Sequence, residues 1–165
     1  MMSQVDVVLL PNQLPGRRID TQCVVVFDVL RATTTMTAAL ATGVTRIQIF
    51  QSTAGLRAAA STDALRCGEE KCLRPADFDF GNSPREFTPQ RCGGKALLMS
   101  TTNGTRAIHA ARTAGVLFAG ALVNASAVAT AALNTQRDII LLCAGTDGAI
   151  AMEDLIGAGA VLAAM

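Results

Sequence analysis

At 165 residues the chain is long enough for one domain with a sizeable core. Half of its residues are hydrophobic and only 16% are charged, a balance that excludes intrinsic disorder. A net charge of +1 offers no basic field for nucleic acid, and no apolar run reaches the roughly 18 residues of a membrane span.

The opening "MMSQVDVVLLPNQ" has no basic region and too short an apolar stretch for a signal peptide. Within it, "VDVVLL" (5–10) predicts a first strand. "CVVVFDV" (23–29) predicts a second, followed by a helix over about 32–42. "TRIQIF" (45–50) predicts a third, with a helix over about 53–65. The stretch 66–94 breaks this rhythm, carries three of the five prolines, and predicts a long, ordered excursion. "KALLMS" (95–100), "GVLFAG" (115–120) and "DIILLCAG" (138–145) predict further strands, with helices over about 104–113, 125–135 and 152–165.

Strands that are apolar throughout, rather than alternating, are buried on both faces. Their alternation with helices predicts a single α/β domain over 1–165. The arrangement expected is three-layer α/β/α around a largely parallel or mixed central sheet. The last helix ends on bare apolar residues, which predicts a C-terminally shortened chain or a surface covered by another chain, as in a homo-oligomer. Five cysteines (23, 67, 72, 92 and 143) form neither a disulfide framework nor a zinc pattern, and predict reduced thiols in a cytoplasmic protein.

Four strand-to-helix joints are unusually polar. "FDVLRATTT" places Asp28 at a strand end, then Arg31, with Thr33, Thr34 and Thr35 opening a helix. "LMSTTNGTRAIHAA" brings Thr102, Asn103, Gly104, Thr105 and Arg106. The third joint, "LVNASAV", holds Asn124 and Ser126; the fourth, "CAGTDGAIAMED", holds Thr146, Asp147 and Asp154. In a parallel sheet such joints gather at the C-terminal edge, where ligands bind. Helix starts present free N–H groups to anions, and arginine adds a fork suited to phosphate or carboxylate. Each cluster also suits plain N-capping. Two arginines, each three residues past an oxygen-rich strand end, favour an anion site. In the excursion, Glu69 and Glu70 supply hard oxygens of the kind Mg²⁺ takes, with Asp77, Asp79, Asn82 and Ser83 behind them.

Asn103-Gly104-Thr105 is formally a glycosylation sequon, but nothing points to secretion. The residues after Gly104 have helical rather than alternating character, which disfavours a hairpin. P-loop and dinucleotide fingerprints are missing, since Gly93-Gly94-Lys95 runs into Ala96 ahead of a strand. The one histidine, His109, falls within a helix, so a Ser–His–Asp triad or poly-histidine metal site lacks support.

"FDVLRATTTMTAAL", "GEE", "FDFGNSPREFTP", "TTNGTRAI", "NASAVA" and "LLCAGTDG…MEDLIGAGA", in this order, resemble the 2-phosphosulfolactate phosphatase family. The resemblance implies a three-layer α/β fold and Mg²⁺-dependent hydrolysis of a phosphate monoester. The family's substrate, which carries phosphate, carboxylate and sulfonate, is processed on the route to coenzyme M. Family members usually continue well past this chain's last residue.

On that reading some of Asp28, Glu69 and Asp154 hold Mg²⁺, while Arg31 and Arg106 stabilise phosphoryl charge. Asn82 and Ser83 close over the substrate. Thr33, Thr34, Thr102, Asn103, Gly104, Thr105, Asn124 and Thr146 complete the binding set. The rival readings are a Mg²⁺-dependent lyase or phosphotransferase on similar anions, and a non-catalytic anion-binding or oligomerisation module.

Overall fold

The computed structural model describes residues 3–59 and 63–165. Seven strands are β1 (Val5–Val8), β2 (Cys23–Phe27), β3 (Arg46–Phe50), β4 (Ala64–Gly68), β5 (Ala96–Ser100), β6 (Val116–Gly120) and β7 (Ile139–Cys143). Between and after them lie α1 (Ala32–Ala41), α2 (Thr53–Ala58), the single turn α3 (Pro89–Cys92), α4 (Gly104–Ala110), α5 (Ala125–Asn134) and α6 (Met152–Ala163). The strands form two sheets, ordered β1-β7-β2-β6 and β3-β5-β4, and every pairing is parallel. The expected α/β class is observed, with the strands divided between two hydrogen-bonded sheets.

The unbroken apolar strands follow from burial on both faces. Cys23, Val25 and Phe27 of β2, with Ile139, Leu141 and Cys143 of β7, pack on Val128, Ala129 and Ala132 of α5 and on Ala158 and Val161 of α6. Val24, Val26, Ile140 and Leu142 point the other way, onto Ala107 and Ala111 at the α4 end. In the second sheet, Leu97 and Met99 of β5 meet Ala32, Met36 and Ala39 of α1, and Ala119 of β6 joins this cluster. α1 thus covers the seam between the sheets. On the opposite face, Leu56 of α2 packs on Leu98 and Phe78.

The excursion is the largest departure from expectation. α2 ends at Ala58; the remainder of the helix expected over 53–65 falls partly on residues 60–62, outside the described residues, and partly on strand β4. Its sequence "ALRCG" has no β-branched residue, so local propensity does not announce a strand; pairing with β5 makes it one. Downstream, Phe80 runs parallel to Cys67 as a one-residue bridge: its N–H donates to the Arg66 carbonyl at 3.0 Å and its carbonyl accepts from Gly68 at 3.2 Å. Among the described residues no helix is long and apolar enough to cross a membrane.

Candidate active site

β2 delivers Asp28 to the strand end, where its side chain is buried. That burial pushes its carboxyl up to about 6; the backbone amide of Ala32 opposes the rise, the Asp154 charge adds to it, and the amides of Gly104 and Arg31 oppose it again. The Ala32 N–H donates to Asp28 Oδ1 at 3.1 Å. Gly104 is required by the close approach of α4: a Cβ there would lie 2.5 Å from Asp28 Oδ2 and 2.5 Å from the Ala32 Cβ. The Leu30–Arg31 peptide is cis, and Arg31 follows, half-buried, as the N-cap of α1.

Glu69 is placed by the glycine before it. Gly68 has φ +136°, and a Cβ at this position would run into the Ser100 carbonyl oxygen, so only glycine lets the ends of β4 and β5 close up. The buried Glu69 carboxylate then ties two loops together. Oε1 accepts the Thr102 N–H at 2.6 Å; Oε2 accepts the Cys72 N–H at 2.6 Å and the Thr102 hydroxyl at 3.0 Å.

Asn82 arrives from the "FDFGNSP" segment, anchored by the Phe80–Phe87 stack with ring centroids 4.7 Å apart. Arg91 lies over the Phe80 ring at 4.3 Å. The Gly81 N–H donates to Glu86 and the Gly81 carbonyl accepts the Cys67 thiol. Asn82 is only 7% exposed, and its Oδ1 is buried with no hydrogen-bond partner. An orphaned buried polar atom is uncommon and costs the folded state unless something fills the gap.

These pieces meet. Asp28, Arg31, Glu69 and Asn82 line one cavity of about 420 Å³ at the C-terminal ends of strands from both sheets. Thr102, Asn103 and Thr146 line it as well, in keeping with the sequence pattern. Asp147, noted at the fourth polar joint but given no role there, lines it too, as do Lys71 and Cys72, which the sequence pattern did not single out. Asp147 precedes Gly148 in a polar turn and has φ 51°, a conformation that Asp tolerates and that signals a turn. For Lys71 and Cys72 residue type gives no such signal.

Other expected residues do not line this cavity. Thr33 spends its hydroxyl on the Asp28 backbone and Thr34 on the Val29 carbonyl. Thr105 is fully buried and its hydroxyl bonds to the Thr101 backbone. Asn124 accepts from the Ala121 N–H and donates to Thr37 and the Ala119 carbonyl, holding the start of α5. Ser83 stands before a 3-10 turn at Pro84–Glu86 and accepts the Glu86 N–H on its carbonyl. Arg106 is exposed and lines two adjoining depressions, one shared with Glu69, Lys71 and Thr102, the other with Asn103 and Asp147. Away from the cavity, Asp77 pairs with Arg57 and Arg66, and the Arg57 contact chiefly holds its carboxyl down to about 2. Asp79 accepts the Arg66 N–H.

Three carboxylates, Asp28, Glu69 and Asp147, line the cavity, and of the expected metal ligands Asp28 and Glu69 are the two that offer it the hard oxygens Mg²⁺ takes. Asp154 does not join them. It is 2% exposed, and its two oxygens accept the Val29 N–H at 2.9 Å and the Gly145 N–H at 3.0 Å, clasping the ends of β2 and β7. Among the described residues no group of three or more His, Cys, Asp or Glu is arranged to hold a metal ion.

A family model described as 2-phosphosulpholactate phosphatase matches residues 8–165. A protein of Synechococcus sp. (strain RCC307) named probable 2-phosphosulfolactate phosphatase is 44% identical over 160 residues, 94% of this chain and 65% of the relative. Its namesake in Carboxydothermus hydrogenoformans is 40% identical over 96% of this chain and 66% of the relative. One in Thermotoga petrophila is 37% identical over 96% of this chain and 67% of the relative. The chain therefore spans about two thirds of the length of these curated relatives.

Proposed function

The chain belongs to the 2-phosphosulpholactate phosphatase family, and from that premise we propose that it hydrolyses the phosphate monoester of a small 2-phosphorylated hydroxy acid. The substrate is 2-phosphosulfolactate, the compound in its relatives' names, or a near analogue; the products are the free hydroxy acid and phosphate. What carries this reading is the single cavity that gathers Asp28 and Arg31 from the loop after β2, Glu69 from the end of β4 and Asn82 from the excursion.

The Arg31 guanidinium binds phosphoryl oxygens and offsets the charge that builds on them as the ester bond breaks. Asn82 orients the same ligand through its Nδ2 N–H group, while its unpartnered Oδ1, an acceptor, takes a hydroxyl or water donor. Asp28 and Glu69 would hold Mg²⁺; when bound, the ion neutralises phosphate charge and lowers the pKa of a coordinated water. Ionised Asp28 is the working form, whether it faces the cation or takes the proton of the attacking water. Glu69 also keeps the Cys72 and Thr102 loops in place around the substrate. Five free thiols suit a reducing, cytoplasmic setting.

A phosphate-release screen across 2-phosphorylated acids, with and without Mg²⁺, tests this reading. Release of free phosphate without an acceptor, dependent on Mg²⁺, is expected, and it separates hydrolysis from phosphotransfer. Analogues that raise the melting temperature without any release of phosphate would instead make the chain an anion-binding module.

A further inference from the structure

We propose that Lys71 is the specificity-determining residue of this cavity, the cation that receives the second acidic group of a phosphorylated hydroxy acid. This rests on the phosphate-ester reading of the cavity and adds a residue to it. Lys71 sits at the tip of a two-residue turn closed by reciprocal bonds: Glu70 N–H to the Leu73 carbonyl at 2.9 Å and Leu73 N–H to the Glu70 carbonyl at 3.1 Å. Both central residues are left-handed, Lys71 at φ 51° and Cys72 at φ 65°. Such a turn favours Asn-Gly, so a lysine and a cysteine here hold a backbone that L side chains disfavour.

The turn is fastened to the cavity wall. Cys72 N–H donates to Glu69 Oε2 at 2.6 Å and Lys71 N–H to the Thr102 hydroxyl at 3.3 Å. Lys71 lines both the main cavity and the depression that holds Arg106, so its charge stands where the two adjoin. Among the described residues it makes no ion pair, so no acidic partner takes up its charge.

Two cations from different segments open into one cavity, facing the carboxylates Asp28, Glu69 and Asp147. Arg31 stands at the Asp28 strand end, where the phosphate is read. Lys71 comes from the other sheet and remains for a different group. A lysine is a compact point charge that asks for no fork geometry, which suits a carboxylate or a sulfonate alike.

The test uses a matched pair of non-hydrolysable ligands, 2-methyl-3-phosphonopropanoate and isobutylphosphonate, which differ in a carboxylate against a methyl group. Calorimetric titration of the wild type is expected to show about tenfold or greater preference for the carboxylate-bearing ligand, the size of one charged contact. Lys71→Met should erase that preference without weakening isobutylphosphonate binding, and Lys71→Arg should restore most of it. Equal binding of the two ligands by the wild type, or a preference kept in Lys71→Met, overturns the role of Lys71 and leaves the phosphate site standing. Failure of the wild type to bind either ligand removes the phosphate-ester reading of the cavity, and the role of Lys71 with it.

Discussion

Asp28 is held ionisable at a cost to the fold. Its folded-state carboxyl lies near 6 against an ordinary 3.8, so it contributes stability below about pH 4 that is lost as pH rises through 6. Asp28→Asn keeps an acceptor for the Ala32 N–H and removes the buried charge. The variant should therefore be more stable than wild type at pH 8, by something on the order of 2–3 kcal/mol, and no more stable at pH 4. Melting curves at the two pH values check this; equal shifts at both would remove buried charge as the cause. The thiols give a second residue-scale outcome. Cys23, Cys67, Cys92 and Cys143 are buried, and burial pushes the Cys143 thiol up to about 12, whereas Cys72 is exposed at the cavity. A native-state thiol titration should register one fast group, protected by bound phosphate ester.

At the scale of elements, Asp154 holds the ends of β2 and β7 together through two backbone amides. Asp154→Ala leaves both N–H groups unpaired in the interior, and a loss of about 2–3 kcal/mol is expected in urea unfolding. A variant that keeps its stability but binds Mg²⁺ more weakly would instead make Asp154 a metal ligand. The same residue shows where sequence reading reached its limit. Asp28, Arg31, Glu69 and Asn82 were readable as candidates, because carboxylates, an arginine and an amide cluster at a sheet edge and in the excursion that returns to it. Threonines and Asp154 at the same joints looked alike in sequence, yet their side chains close loops, a distinction that depends on backbone groups distant in the chain. Strands β2, β5 and β7 were legible because both of their faces are buried. β4 was not, since its pairing with β5 and not its composition makes it a strand. Nor was the Lys71–Cys72 turn, whose residues contradict the preference of the turn they form.

On the whole-molecule scale, division into two parallel sheets puts the ends of β2 and β7 on one side of the cavity and those of β4 and β5 on the other. α1 packs across the seam, so the Asp28–Arg31 loop that precedes it is fixed relative to both sheets. The central claim is that this shared cavity performs Mg²⁺-dependent ester hydrolysis through Asp28 and Arg31. Its most direct test is the rate of phosphate release from 2-phosphosulfolactate by wild type, Asp28→Asn and Arg31→Ala at saturating Mg²⁺, with folding checked by melting temperature. Steady release by the wild type and a fall of about 100-fold or more in both folded variants is the predicted result. Wild-type rates in Asp28→Asn, or no release by the wild type, would contradict it.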